Sequence, residues 1–203
     1  MITVQSKSNY RRLILHGNSL FANLEGNVNY GKRVMQRLNT QIVNNTKRIS
    51  IFDYSIPGRR TPDMPTDYAT WGSMVRPNDI IVVWELTNDL NANSATAQVA
   101  YDNMNNYALT LRNAGAYVVG LTCIARDSAG LSANFDTRRT ACNSLLLASS
   151  NFHEIIDVAS LPEFNAIADC SNTTYYNADK VHLTQAGYEL IADAIYGQLA
   201  SKM

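Results

Sequence analysis

Cysteine is scarce in this 203-residue chain: only Cys123, Cys142 and Cys170 occur, and none stands in a Cys-x-x-Cys arrangement. Three thiols cannot all pair within one chain, and buried free thiols are the preferred reading. Histidine is equally sparse. His16, His153 and His182 show no helical pair spacing and no neighbouring cysteine cluster, so the pattern predicts no metal site and no cofactor. Excess charge is also missing, because 17 basic and 17 acidic side chains cancel. That balance gives nucleic acid, a membrane surface or a charged polymer no electrostatic hold. No apolar run approaches the roughly 20 residues of a bilayer-crossing helix, so no membrane insertion is expected. The opening Met1-Ile2-Thr3-Val4-Gln5-Ser6 lacks the basic flank and apolar stretch of a secretory signal, which leaves cytoplasm, a clipped mature form or a virion component open as the source. Internal repeats, Gly/Ser linkers, a phosphate loop and a dinucleotide fingerprint are absent as well.

What is present is a chain that is 46% hydrophobic, large enough for one domain with a substantial core and too small for two comfortable ones. A single domain over residues 1–203 is expected. Short apolar runs at residues 12–15, 48–52, 79–85, 117–122 and 154–158 alternate with helix-length segments. Such runs, rich in valine and isoleucine, read as strands of a parallel sheet buried on both faces. The architecture predicted is a three-layer α/β/α sandwich around a mainly parallel five-stranded sheet. Helices are predicted over residues 31–38, 95–114 and 136–149, and from Thr184, as N-cap, to the C-terminus. The second presents Ala97, Ala100, Met104, Ala108 and Leu111 on one face and closes at Gly115. The last presents Leu190, Ile191, Ala194, Ile195 and Leu199.

In open parallel sheets ligands bind beyond the carboxyl ends of the strands. Ser19, Gly58 and Asn88 each follow one of the first three strands, and a loop carrying Asp179 and His182 follows the fifth. A serine after a glycine is ordinarily a turn or a helix cap, Asp179 alone could be a plain loop residue, and His182 alone a core histidine. The four elements together are another matter. Gly17-Asn18-Ser19-Leu20, Gly58 in Ile56-Pro57-Gly58-Arg59, Asn88 in Leu86-Thr87-Asn88-Asp89, and Asp179-x-x-His182 resemble, in order and separation, the SGNH or GDSL-type hydrolase family. The resemblance implies the family's flavodoxin-like fold. It also implies Ser19 as nucleophile, His182 as base, Asp179 as its carboxylate, and an oxyanion hole from the Ser19 and Gly58 backbone N–H groups and the Asn88 side chain.

The residue types suit that chemistry. A serine hydroxyl is a weak nucleophile until an imidazole accepts its proton, and an ordinary imidazole titrates near pH 6.5. Fixed N–H donors then stabilise the oxyanion that forms as the acyl carbon is attacked. Two positions depart from the family pattern: Asn18 stands where aspartate is usual, and Leu86 where a glycine is usual. If that glycine has positive φ, leucine would be strained and the Asn88 loop displaced. The Gly-x-Ser-x-Gly elbow of α/β-hydrolases is absent, since Phe21 occupies the second glycine position.

By analogy with the family, the expected activity is that of a serine esterase removing short acyl groups, most naturally O-acetyl, from a small-molecule or carbohydrate ester through an acyl-enzyme on Ser19. A lipolytic esterase or thioesterase is the alternative. A non-catalytic binding module of a viral or cell-surface assembly is the rival from another class. Tyr54, Trp71, Tyr175 and Tyr176 offer flat faces to a sugar ring or, equally, to the core. Arg59 and Arg60 follow Gly58 and are candidates for the cleft wall or for solvent. His16 is expected to line the site without chemistry, His153 to lie at the surface, and Trp84 to pack in the core. The sequence carries no signal of oligomeric state.

Overall fold

The five apolar runs become the strands of one sheet in the computed structural model, which describes residues 12–22, 37–40, 42, 49–91 and 95–203. They are β1 (Arg12–Gly17), β2 (Ser50–Asp53), β3 (Ile80–Trp84), β4 (Tyr117–Leu121) and β5 (Glu154–Ile156). Every neighbouring pair is parallel, in the order β2-β1-β3-β4-β5. The α-helices bounded within the described residues are α1 (Met64–Trp71), the short α2 (Thr87–Asn91), α3 (Ala97–Asn113), α4 (Phe135–Leu147) and α5 (Gln185–Leu199). Of the helix predicted over residues 31–38, residues 31–36 lie outside the described residues, while residues 37–40 are helical.

Period-two alternation sorts the strand side chains between two layers. Leu13, Leu15, Val82 and Trp84 pack with Leu38, Ile42 and the α5 residues Tyr188, Ile191 and Ile195. Ile14, Ile81 and Val83 pack on the opposite side with Met64, Met104, Leu111 and Leu146 from α1, α3 and α4. Both faces are therefore buried, which is why β3 reads as an unbroken apolar run and every one of its residues is 0% exposed. Burying each such side chain contributes roughly 1.5–3 kcal/mol.

The long helix α3 is punctuated as its sequence suggests. Thr96 Oγ1 accepts from the Val99 N–H at its start. At its end Gly115 has φ 89°, and the Gly115 and Ala116 N–H groups donate back to the Arg112 and Leu111 carbonyls. This is a Schellman closure, which requires the left-handed residue that glycine supplies. The buried face of α5 is shifted slightly from that expected. Tyr188, Ile191, Ala192, Ile195 and Leu199 are buried, with Leu190 and Ala194 packed at its margin.

The strand order positions the site. The chain leaves β1 for β2 on one side and later returns to β3 on the other, so the crossovers diverge and open a crevice at the carboxyl ends of β1 and β3. There the two strands come unusually close. A Cβ on Gly17 would lie 2.1 Å from the Trp84 carbonyl oxygen, so only glycine permits β1 to stay paired with β3 to that point.

Candidate active site

Immediately beyond Gly17 the chain turns. The Phe21 and Ala22 N–H groups donate to the Asn18 carbonyl at 3.1 and 2.9 Å, and the Leu20 N–H donates to Asn18 Oδ1 at 2.9 Å. Asn18 is buried, and its Nδ2 donates to Glu85 Oε1, just past β3, at 2.5 Å. The amide that stands in place of the family's aspartate is thus met by a buried carboxyl facing it. Glu85 is fully buried, and burial pushes its pKa well above the ordinary carboxyl value, against the opposing effect of the Asn18 hydrogen bond. A buried carboxyl whose surroundings favour its neutral form and an amide hold the turn from below. Ser19, between the buried Asn18 and Leu20, is partly exposed.

The partner segment is built from the other end of the chain. Tyr176 and Leu183 form an antiparallel bridge, flanked by Thr184 N–H to Tyr175 O and Asn177 N–H to His182 O, both at 2.8 Å. Thr184 caps α5, accepting from the Gly187 N–H. The loop closes through Lys180 at φ 56°, and its Nζ pairs with Asp127 at 2.7 Å. Held in this way, Asp179 Oδ1 accepts from the Val181 and His182 N–H groups at 2.9 and 3.0 Å, while Oδ2 lies 2.5 Å from His182 Nδ1. Burial alone would raise the Asp179 pKa, but the His182 hydrogen bond and the two backbone donors outweigh it and hold the carboxyl below its ordinary value. The carboxylate therefore stays ionised and fixes the imidazole with Nε2 outward. His182 Nε2 lies 2.9 Å from Ser19 Oγ. Such a row can carry the hydroxyl proton to the imidazole.

These groups open on a cavity of about 590 Å³ whose lining includes Ser19, Asn88, Asp179 and His182 together with Arg126, Asp127, Ser128 and Lys180. Leu86 does have positive φ, 85°, and is wholly buried. Its strain, of the order of 1–3 kcal/mol, is held by the core around its side chain. The Asn88 loop is not displaced from the cavity. Asn88 Nδ2 also donates to the Arg59 carbonyl at 2.9 Å, and Asp89 accepts from the Thr61 N–H and hydroxyl. The two loops after β2 and β3 are thereby tied together. Gly58 occupies the third position of a turn closed by Arg59 N–H to Ile56 O at 3.3 Å, with φ 78°. Pro57 before it completes the signature of a type II turn.

A family model, GDSL-like lipase/acylhydrolase, matches residues 15–190. The chain belongs to this family. Solved structures of similar fold include a lipase/acylhydrolase from Enterococcus faecalis, with a TM-score of 0.74 at 17% identity, covering 95% of this chain and 96% of that one. A member of the lipolytic G-D-S-L family from Veillonella parvula has a TM-score of 0.72 at 19% identity, with 95% and 100% covered. An acetyl xylan esterase has a TM-score of 0.69 at 16% identity, with 93% and 99% covered. No curated protein sequence matches the chain significantly.

Against this GDSL-type frame the structure brings Ser19, Asp179, His182 and Asn88 to one cavity. Gly58 sits on the adjoining loop and is not among the residues lining it. The substrate-contact candidates Tyr54, Arg59, Tyr175 and Tyr176, and Trp71 with them, are not among the residues lining the cavity. Tyr176 is 1% exposed and a core residue, its hydroxyl donating to the Ala125 carbonyl at 3.0 Å. Tyr175 packs edge-on to Phe164 beside the same core. Tyr54 stacks on Trp71 at 4.8 Å, and the Arg59 guanidinium pairs with the buried Asp67 at 2.9 Å. Bulky aromatics near strand ends served packing, because the layers beneath the crevice needed their area. His16 does not line the cavity either. It is buried between Trp71 and Tyr107, its Nδ1 lies 2.7 Å from the Tyr107 hydroxyl, and burial pulls its pKa down to about 4. His153 is exposed and stacks on Tyr117, and Trp84 is core. All three cysteines are free and buried.

Sequence reasoning missed Arg126, Asp127, Ser128 and Lys180. The first three follow β4, and the strand-end rule that singled out Ser19, Gly58 and Asn88 would have reached them had it been applied to the fourth strand. Glu85 carried a signal too, as a lone carboxyl directly after a continuous apolar strand.

Proposed function

We propose that this GDSL-type protein is a serine esterase that removes short acyl groups, acetyl above all, from oxygen esters of a polar carrier such as a carbohydrate. The observation that carries the reading is the unbroken row Asp179 Oδ2, His182 Nδ1, His182 Nε2, Ser19 Oγ, at 2.5 and 2.9 Å. His182 Nε2 takes the Ser19 proton as Oγ attacks the acyl carbon. The resulting oxyanion is met by N–H donors from Ser19 and Asn88, with the Gly58 N–H on the adjoining loop as the third donor that the family resemblance implies. Such bonds strengthen as charge develops and so act on the transition state. Collapse expels the alcohol, which leaves with the proton from His182. A water then gives its proton to the same nitrogen and hydrolyses the acyl-enzyme, and Ser19 is regenerated.

The cavity wall favours a short acyl group and a polar alcohol. Arg126, Asp127, Ser128 and Lys180 would be desolvated without compensation by a long alkyl chain. The acetyl xylan esterase of similar fold is consistent with acetyl transfer to water, although a shared fold alone does not specify a substrate. Hydrolysis of p-nitrophenyl acetate, p-nitrophenyl octanoate and a panel of O-acetylated sugars by wild type and Ser19→Ala tests the reading. Turnover of the acetyl esters that vanishes in Ser19→Ala is expected. Faster turnover of octanoate than acetate would favour a lipolytic role, and binding without turnover, unaffected by Ser19→Ala, would favour a binding module.

A further inference from the structure

Arg126 lies in the wall of the cavity that Ser19 and His182 share, five residues beyond the end of β4. Its hydrogen bonds go to neutral acceptors: Nη1 donates to Thr87 Oγ1 at 3.3 Å and Thr87 O at 3.5 Å, and Nη2 donates to Ser128 Oγ at 3.0 Å. Its Nε is buried with no hydrogen-bond partner. Arg126 forms no ion pair among the described residues. The two carboxylates in the same wall are already engaged, Asp127 by Lys180 and Asp179 by His182 and two backbone N–H groups. Burial pulls the Arg126 pKa down, opposed by charges that include Asp179. A half-buried guanidinium with spare donors is costly unless something anionic completes it.

We propose that Arg126 is the anion contact of the substrate site. The alcohol half of the ester carries an oxyanion, of which a carboxylate is the simplest form, and this group docks on the guanidinium while the acyl carbon faces Ser19. The inference rests on the esterase reading and narrows its substrate class to acylated acids. Planar guanidinium forks match carboxylates in pairs of parallel hydrogen bonds, which lysine cannot reproduce. The contrary account makes Arg126 a strut between Thr87 and Ser128.

The test compares mono-O-acetylated methyl glucuronide with mono-O-acetylated methyl glucoside, which differ only in the carboxylate. Wild type is expected to favour the glucuronide in kcat/KM by about tenfold or more, the scale of one charge-assisted contact. That ratio should fall towards one in Arg126→Gln and remain intermediate in Arg126→Lys. A wild-type ratio of one or less would overturn the proposal, and so would an Arg126→Gln protein in which both rates drop alike, as a strut predicts. Failure of wild type to hydrolyse p-nitrophenyl acetate would instead defeat the esterase reading. In that case, and where neither sugar is turned over, calorimetry with Ser19→Ala and with Ser19→Ala/Arg126→Gln decides. Tighter glucuronide binding that depends on Arg126 supports the anion contact, and equal or absent binding of the two sugars overturns it.

Discussion

Replacing Glu85 by glutamine should stabilise the protein increasingly as pH rises. Glu85 is 0% exposed, its Oε1 accepts from Asn18 Nδ2 at 2.5 Å, and its Oε2 has no partner. Burial, reinforced by the negative charges of Asp89, Asp63 and Asp67, raises its pKa well above the ordinary 4.5. Between the unfolded value and the raised folded one, the native protein holds a proton that the unfolded chain has released. Unfolding then releases that proton, so stability falls as pH rises through this window, by about 1.4 kcal/mol per pH unit. Glutamine keeps the shape and the acceptor for Asn18 but carries no such proton. The unfolding free energy of Glu85→Gln minus that of wild type should therefore grow as pH rises from the ordinary 4.5 towards the raised folded value. Urea denaturation followed by the fluorescence of the buried Trp71 and Trp84 measures it. Other titrating groups cancel in the difference. A difference that is constant with pH, or that shrinks, would mean that Glu85 is ionised in the native state, and the account of the turn beneath Ser19 would be wrong.

Three further outcomes follow from the same geometry. Leu86→Ala removes packing but keeps φ 85°, so it should cost about 2–5 kcal/mol; Leu86→Gly removes one atom more yet relieves the backbone, and should be the more stable of the two in urea, the reverse order contradicting strain at this position. Asn88→Ala should lower kcat on p-nitrophenyl acetate roughly a hundredfold or more with little change in KM, whereas an effect confined to KM would remove Asn88 from the oxyanion donors. His16, with its pKa lowered from 6.5 to about 4 by burial, is neutral in the fold while the unfolded chain takes up a proton. Stability linked to it should thus be lost as pH falls between those values, and His16→Gln should flatten that limb in acid denaturation. An unchanged limb would show that the histidine is solvated or protonated in place.

The parts legible in the sequence were those governed by local pattern. Apolar runs bounded by turns located all five strands, because a parallel sheet covered on both faces leaves few positions polar. Ser19, Asp179 and His182 could be singled out because each follows a strand or opens a helix, at spacings that the family resemblance supplied. Contacts between distant segments were not legible. Nothing local distinguishes a tyrosine such as Tyr176, whose hydroxyl finds the Ala125 carbonyl in the core, from one presented to a sugar. Glu85 opposite Asn18 and Arg126 beside Thr87 are likewise facts of the β1, β3 and β4 ends meeting, which only the folded chain decides. Leu86 is the mixed case: its positive φ could be anticipated from the glycine it replaces, but whether the core would hold the Asn88 loop in place could not.

The central claim is that Ser19 is a nucleophile made reactive by His182. Treatment with a serine-directed fluorophosphonate followed by peptide mass spectrometry tests it without assuming any substrate. A covalent adduct on Ser19 is expected, forming roughly a hundredfold or more slowly in His182→Ala because the proton acceptor is gone. An unlabelled protein, an adduct on another residue, or labelling of Ser19 at the same rate in His182→Ala would contradict the account.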